Sequence, residues 1–174
     1  MANRIRKNIA LFAGYRLQDL VKGTSIMSTL RFLDESQFWP REKLDAYQDE
    51  KLDKLIHYAF TKVPFYNQLF KENNLTPEDI KGKEDLYKIP VLTKEKAREV
   101  YKQMVSADIE KMKVKRGKTG GTTGPPLPTY SGVQARSFVW GAFLRWYKWM
   151  GIEPGDHSIM LWGSPTVLWS SRLK

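Results

Sequence analysis

Apolar residues recur at helical spacing through the first half of the chain. An apolar stripe at intervals of three and four residues predicts a long helix over residues 41–61. The stripe consists of Leu44, Leu52, Leu55, Ile56 and Ala59. Val63-Pro64 ends this helix, and residues 65–70 form a shorter one. Thr93 is a typical N-cap for a further helix over residues 94–104. This half is therefore predicted to be wholly helical.

The pattern changes after Ala107. Residues 112–118 alternate as in a strand, and residues 127–130 are predicted to return as the second strand of a hairpin. Ser131 is predicted to cap a strong helix, with Gln134 completing a capping box. One face of that helix is apolar and is predicted to face the core, and residues 158–162 read as a short buried strand. The apolar face consists of Val139, Phe143, Trp146 and Met150.

The order strand–loop–strand–helix–strand after a helical half predicts an α/β fold with helices layered outside a sheet. We expect residues 1–40 to form an N-terminal helix and a connector, and residues 41–174 to form the body. Residues 1–22 are basic and carry one acid, Asp19. They predict either a helix packed on the body or an amphipathic helix that lies on a membrane surface.

Composition narrows the function classes. The 174 residues carry a net charge of +10, which suits an anionic partner such as a nucleotide, coenzyme A or a lipid surface. The chain has no cysteine, so thiol nucleophiles and disulfides are excluded. His57 and His157 lie far apart and are interpreted as packing or surface residues. No motif supports nucleic-acid binding, and the aromatic residues around Trp146 are interpreted as core. We expect a cytoplasmic protein, with contact to a membrane surface through residues 1–22 as the alternative.

The most biased stretch lies between Thr119 and Pro126, which holds three Gly, three Thr and two Pro. Gly allows close approach of the backbone to a ligand, and Thr hydroxyls and free N–H groups donate to phosphate oxygens. Lys118 and four further cations precede the stretch. It predicts a phosphate-binding loop, with a plain surface loop as the alternative. Gly117-Lys118-Thr119 is not the end of an NTPase P-loop, because Met112 stands where that motif needs Gly.

The segment Thr119-Gly120-Gly121-Thr122-Thr123-Gly124-Pro125-Pro126 resembles the phosphate loop of adenylate-forming enzymes. Further segments in the same order resemble the phenylacetate-CoA ligase branch. They are Val63-Pro64-Phe65-Tyr66, Ile89-Pro90-Val91-Leu92-Thr93-Lys94 and Gly151-Ile152-Glu153-Pro154-Gly155-Asp156. Leu127 and Leu161-Trp162-Gly163-Ser164 are more similar to capsular polysaccharide biosynthesis relatives of that branch.

The resemblance implies the start of the large-domain sheet of an adenylate-forming enzyme, incomplete in this chain. It implies ATP and Mg²⁺, with coenzyme A as a further candidate, and a small carboxylic acid as the second substrate. The residues that would hold the ATP β- and γ-phosphates are Lys118, Thr119, Gly120, Gly121, Thr122, Thr123 and Gly124. Many members of the family carry a Lys where this chain has Leu127, so one positive charge that would contact the phosphates is missing here.

The family's later motifs for adenine, ribose and metal, and its late catalytic Lys, have no counterpart before Lys174. We therefore assign no catalytic residue and no metal ligand. We expect an N-terminal portion of an acyl-CoA ligase-like enzyme that is inactive alone, with a downstream chain that completes the domain as a candidate partner. The alternative is a non-catalytic module that binds phosphate or nucleotide, or a peripheral membrane protein.

Overall fold

A computed structural model describes residues 13–119, 125–152 and 156. The helices are α1 (Arg16–Lys22), α2 (Ile26–Ser36), α3 (Arg41–Lys62), α4 (Pro64–Glu72), α5 (Lys94–Val100) and α6 (Val133–Trp149). Short 3₁₀ helices span Pro77–Asp79, Lys83–Lys88 and Ile109–Lys111. Two strands, β1 (Lys115–Lys118) and β2 (Pro128–Ser131), form an antiparallel sheet. The described chain is thus mostly helical with a small sheet, α/β overall.

The helices α3 and α4 form the first packed unit. Val63 lies between them in an extended conformation, as the residue before a proline does, and Pro64 begins α4. The unit's apolar cluster has Ile56, Phe70 and Ile80 at its centre. The predicted helix over residues 41–61 is confirmed, but Leu55 of its stripe is exposed because the long helix is packed along one narrow face.

Helices α2 and α6 form a second unit, in which Ile26, Leu30 and Leu144 share a cluster. The face of α6 that meets α2 carries Ser137, Gly141 and Leu144. A Cβ on Gly141 would lie 2.7 Å from Cγ2 of Thr29, so the missing side chain allows the close approach of the two helices. The buried Ser137 hydroxyl accepts the Ser25 N–H at 3.0 Å and donates to the Val133 carbonyl at 2.8 Å.

The prediction of which face of α6 packs against the core is wrong. Val139, Trp146 and Met150 are about half exposed, and Phe143 is only partly buried. The helix meets α2 through Ser137, Gly141 and Leu144 instead, and the two small residues carry no apolar signal in the sequence. The aromatic rings of α6 contact each other, with Trp146 stacked on Tyr147 at 5.5 Å between centroids.

An aromatic group connects the two units. Phe32 of α2 lies 5.6 Å from Trp39 in the connector and 5.3 Å from Tyr47 of α3, measured between ring centroids. The Lys43 ammonium lies 3.9 Å from the Trp39 ring centre. Edge-to-face pairs and cation–π contacts of this kind hold the connector against both helices.

The helix α1 is fixed to α2 by Asp19. Its carboxylate accepts the N–H groups of Ile26 and Met27, at 2.9 and 3.0 Å, and the Thr24 hydroxyl at 2.6 Å. Burial alone would raise the pKa of Asp19, but these hydrogen bonds outweigh it and lower the pKa below its usual value. The carboxylate therefore caps the start of α2, where the helix dipole also favours negative charge.

The predicted hairpin is confirmed; β1 is shorter than expected, and β2 has the expected length but begins one residue later. Arg116 pairs with Tyr130 and Lys118 pairs with Pro128. The predicted Ser131 cap of α6 is wrong: Ser131 belongs to β2, and Gly132 precedes the helix without a side-chain cap. The strand predicted over residues 158–162 lies outside the described residues. Within the part of the chain described, no helix is both long and apolar enough to cross a membrane.

Candidate functional site

The two ends of the Gly/Thr segment are joined by a pair of hydrogen bonds. The Thr119 N–H donates to the Leu127 carbonyl at 2.9 Å. In return, the Leu127 N–H donates to the Thr119 hydroxyl oxygen at 2.9 Å. This reciprocal pair, which we call the stem, extends the β1–β2 ladder by one step and closes the segment into a loop.

Of the predicted phosphate-binding residues, the structure describes Lys118 and Thr119. Gly120, Gly121, Thr122, Thr123 and Gly124 lie outside the described residues, so their role stays a prediction. Lys118 is exposed at the end of β1, directly before the stem. The Thr119 hydroxyl uses a lone pair to accept from Leu127, and its own proton can still be donated to a ligand.

The strand that leads into the loop is basic and exposed along its whole length. The Arg116 guanidinium lies 5.8 Å from the Tyr130 ring centre on the paired strand, which holds it on one face of the hairpin. Lys111, further upstream, lies 3.6 Å from Asp108. That carboxylate offsets the charge of Lys111, so the exposed cations of β1 carry the positive field that favours an anion beside the loop.

The other side of the loop is held by a residue that sequence reasoning missed. Arg98 of α5 donates from Nε and Nη2 to the Pro125 carbonyl, at 3.2 and 3.1 Å. The sequence shows only a cation on a helix to which no chemistry was assigned. The contact joins residues that are 27 positions apart, and no local pattern signals it.

An open depression of about 320 Å³ lies between α5 and the hairpin. Apolar and aromatic side chains from both elements line it, among them Ala97, Tyr101, Met104, Leu127 and Tyr130. Leu127 therefore lies beside apolar neighbours, and its backbone closes the stem.

The histidine interpretation is confirmed for the residue that can be described. His57 Nδ1 lies 3.0 Å from the Asp53 carbonyl oxygen, and Nε2 lies 3.7 Å from a Glu78 carboxylate oxygen on the surface. His157 lies outside the described residues. Among the residues that are described, no group of three or more His, Asp or Glu side chains could hold a metal ion.

No family model matches the chain. Curated proteins that it matches are coenzyme A ligases. The phenylacetate-coenzyme A ligase of Thermus thermophilus is 35% identical over 119 residues, which cover 63% of this chain and 27% of that protein. The enzyme of the same name from Pseudomonas putida is 31% identical over 106 residues, covering 54% and 24%. That of Escherichia coli strain K12 is 30% identical over 100 residues, covering 58% and 23%.

These matches support the resemblance to phenylacetate-CoA ligases. The chain spans about a quarter of the length of these curated relatives. The similarity to capsular polysaccharide biosynthesis proteins is not tested by them and stays a prediction.

Proposed function

We propose that this chain carries the ATP phosphate-binding loop of an AMP-forming, phenylacetate-CoA ligase-like enzyme. The observation that supports this best is the stem, in which Thr119 and Leu127 close the Gly/Thr segment directly beside the exposed Lys118. A closed stem limits the conformations of the loop between its ends, so less entropy is lost when a phosphate binds. The similarity to phenylacetate-CoA ligases supplies the class of ligand.

In the proposed reaction a carboxylate oxygen attacks the ATP α-phosphorus, and the bond to the bridging oxygen breaks to release pyrophosphate. Negative charge grows on the leaving phosphates, so prearranged donors and cations lower the barrier. Lys118 supplies a cation at the start of the loop, and the Thr119 hydroxyl can donate its proton while it accepts from Leu127. Mg²⁺, when bound, would neutralise phosphate charge; the described residues provide no ligand set for it, so no step is assigned to it.

The proposal divides into parts that different experiments test. Phosphate and nucleotide binding concern this chain, because they concern the loop it contains. Three further parts of the proposal concern the whole enzyme: acyl transfer to coenzyme A, the identity of the small carboxylic acid, and a place in polysaccharide synthesis. The chain spans about a quarter of the length of the curated relatives. We propose further that these 174 residues alone bind without turnover.

The test is to titrate the 174-residue chain with ATP and, in a separate experiment, with inorganic tripolyphosphate. Calorimetry measures the binding in both titrations. We expect saturable binding of both ligands that weakens as salt is raised, since the contacts are ionic. Lys118→Met should weaken binding by about tenfold, the size of one charged contact. Lys71→Met is the matched control, because it removes the same charge from an exposed position on α4.

Two results would contradict the proposal. One is the absence of saturable binding by the wild-type chain at millimolar ATP. The other is an equal loss of affinity in Lys118→Met and Lys71→Met, which would show a general effect of net charge. ATP–pyrophosphate exchange by the chain alone would contradict the separate proposal that it does not turn over.

A second candidate function, contact with an anionic membrane surface, has an observation of its own. Leu17, Leu20 and Val21 of α1 are 60%, 82% and 74% exposed. They lie at helical spacing on a segment whose acid, Asp19, is engaged with the start of α2. The helix therefore presents apolar side chains together with the basic Lys22, the pattern of a surface-seeking helix.

Vesicle co-sedimentation tests this candidate. We expect the chain to bind vesicles that contain phosphatidylserine and not neutral vesicles, and Leu20→Gln to reduce that binding. Leu55→Gln is the control, because Leu55 is also exposed but lies on α3. Equal binding of both variants would contradict a role for α1.

A further inference from the structure

The helix that carries Arg98 is fixed by hydrogen bonds at its start and just beyond its end. The Thr93 hydroxyl accepts the Lys96 N–H at 3.2 Å and caps α5. Beyond the helix, the Gln103 carbonyl accepts the Phe65 N–H at 3.0 Å, which ties this segment to the start of α4. Ala97, next to Arg98, is buried. The arginine is therefore carried by an element docked on the helical part of the molecule.

The target of Arg98 is the backbone at the end of the loop. Pro125 and Pro126 have no N–H groups, so their carbonyl oxygens are their only backbone hydrogen-bonding atoms. The ladder of the hairpin cannot hold these residues through donors. Two nitrogens of Arg98 converge on the Pro125 carbonyl, which gives this part of the chain a charged contact in place of a ladder bond.

The nearby carboxylate of Glu95 does not compete with the contact between Arg98 and Pro125. Arg98 Nη1 lies 3.8 Å from a Glu95 carboxylate oxygen, but the Glu95 side chain is 76% exposed, and that of Arg98 only 24%. An exposed carboxylate at that distance adds little to the orientation of an arginine. The hydrogen bonds to the Pro125 carbonyl therefore set the direction in which the Arg98 guanidinium points.

We propose that Arg98 is a positioning residue for the phosphate-binding loop: it fixes the Pro125 carbonyl and so holds the loop's end against α5, while the stem closes its base. The proposal rests on the function proposed above only for the identity of the ligand. Arg98 acts through Pro125 and Leu127 and not through contact with the phosphate.

Amide hydrogen exchange tests the positioning without any ligand. Leu127 and Thr119 donate the two stem hydrogen bonds, so their exchange rates report opening of the stem. Arg98→Met should speed the exchange of both amides by about tenfold, relative to the amide of the buried Phe70, which reports global unfolding. Arg98→Lys should restore part of the protection, because a lysine reaches the carbonyl with a single ammonium group.

Arg31→Met is the matched control. It removes the same side chain from an exposed position on α2, a helix that packs against α6. It should leave exchange at Thr119 and Leu127 unchanged. Unchanged stem exchange in Arg98→Met, or an equal rise at Phe70, would overturn the proposal, because the arginine would then have no local effect.

Tripolyphosphate titration of the same variants separates this inference from the proposed function. If the wild-type chain binds, Arg98→Met should weaken binding by about tenfold and Arg31→Met by much less. Binding that is equal in wild type and Arg98→Met would overturn the positioning role. If the wild-type chain does not bind, the phosphate function fails, and the exchange data alone decide whether Arg98 positions the loop.

Discussion

The unit of α3 and α4 and the helix α6 use similar residues with opposite results. In the first, Phe70 is 1% exposed and Ile80 is 1% exposed, both enclosed by neighbouring elements. On α6, Trp146 is 48% exposed and Trp149 is 62% exposed. Among the described residues, the two regions differ in how many sides carry a packed neighbour. Apolar spacing on a helix thus shows which residues can be buried, and the neighbouring layer decides which of them are.

The comparison is tested most strongly at Phe70. Phe70→Ala removes a fully enclosed ring and leaves a cavity, so we expect it to lower the free energy of unfolding by about 3–5 kcal/mol. Denaturant unfolding followed by tryptophan fluorescence measures the change. Phe70→Leu, which keeps most of the volume, should cost much less. A loss below about 1 kcal/mol for Phe70→Ala would mean that this unit is as open as α6.

The buried face of α6 is tested at Gly141. Gly141→Ala gains about 1 kcal/mol of helix propensity but forces a Cβ against Thr29 and the Leu30 backbone, so we expect a net loss of about 1–2 kcal/mol. Thr29→Ser removes the closest methyl group, and the double variant should lose less than the sum of the two single changes. Additive losses in a double-mutant cycle would show that the two residues are not in contact.

The attachment of α1 is tested through pH. The pKa of Asp19 is lowered in the folded chain, so its contribution to stability is present above the unfolded pKa and is lost as pH falls through the folded pKa. Asp19→Asn should cost about 1 kcal/mol at neutral pH, the usual loss for a weakened cap. The difference between wild type and variant should shrink in acid. A difference that stays constant from neutral to strongly acid pH would exclude a charged cap.

The smallest effect is expected on the outward face of α6. Val139 is 52% exposed, so Val139→Gln should change the free energy of unfolding by about 0.5 kcal/mol or less. Thermal unfolding of the variant beside Leu144→Gln, on the buried face, gives the direct contrast within one helix. A loss at Val139 as large as at Leu144 would show that the outward face is covered in solution.

Much of the helical architecture could be predicted because its signals are local. Pro64 ends one helix and begins the next, and Thr93 caps α5 as expected. The hairpin was also predictable, since alternating residues flank a segment rich in Gly and Pro. The buried face of α6 was not, because Ser137 and Gly141 pack by being small and carry no hydrophobic signal.

The candidate site was predictable only in part, for a similar reason. The sequence predicts Lys118 and Thr119 as phosphate-binding residues, a role that stays a prediction, and the structure adds the stem between Thr119 and Leu127. Arg98 could not be predicted, because its partner is a backbone carbonyl far along the chain. A charge on a helix surface does not reveal which loop will meet it. The residues from Gly120 to Gly124 remain assigned from the sequence alone.

The basic residues of β1 affect how readily copies of the chain aggregate in solution. Among the described residues the hairpin has two strands, so each strand has an edge whose N–H and C=O groups can pair with another molecule. Lys115, Arg116 and Lys118 oppose such pairing by mutual repulsion between molecules. Because salt screens this repulsion, raising ionic strength should weaken the protection and promote aggregation through the hairpin edge. In the proposed function the same cations attract a phosphate ligand, and they also keep neighbouring copies of the chain apart.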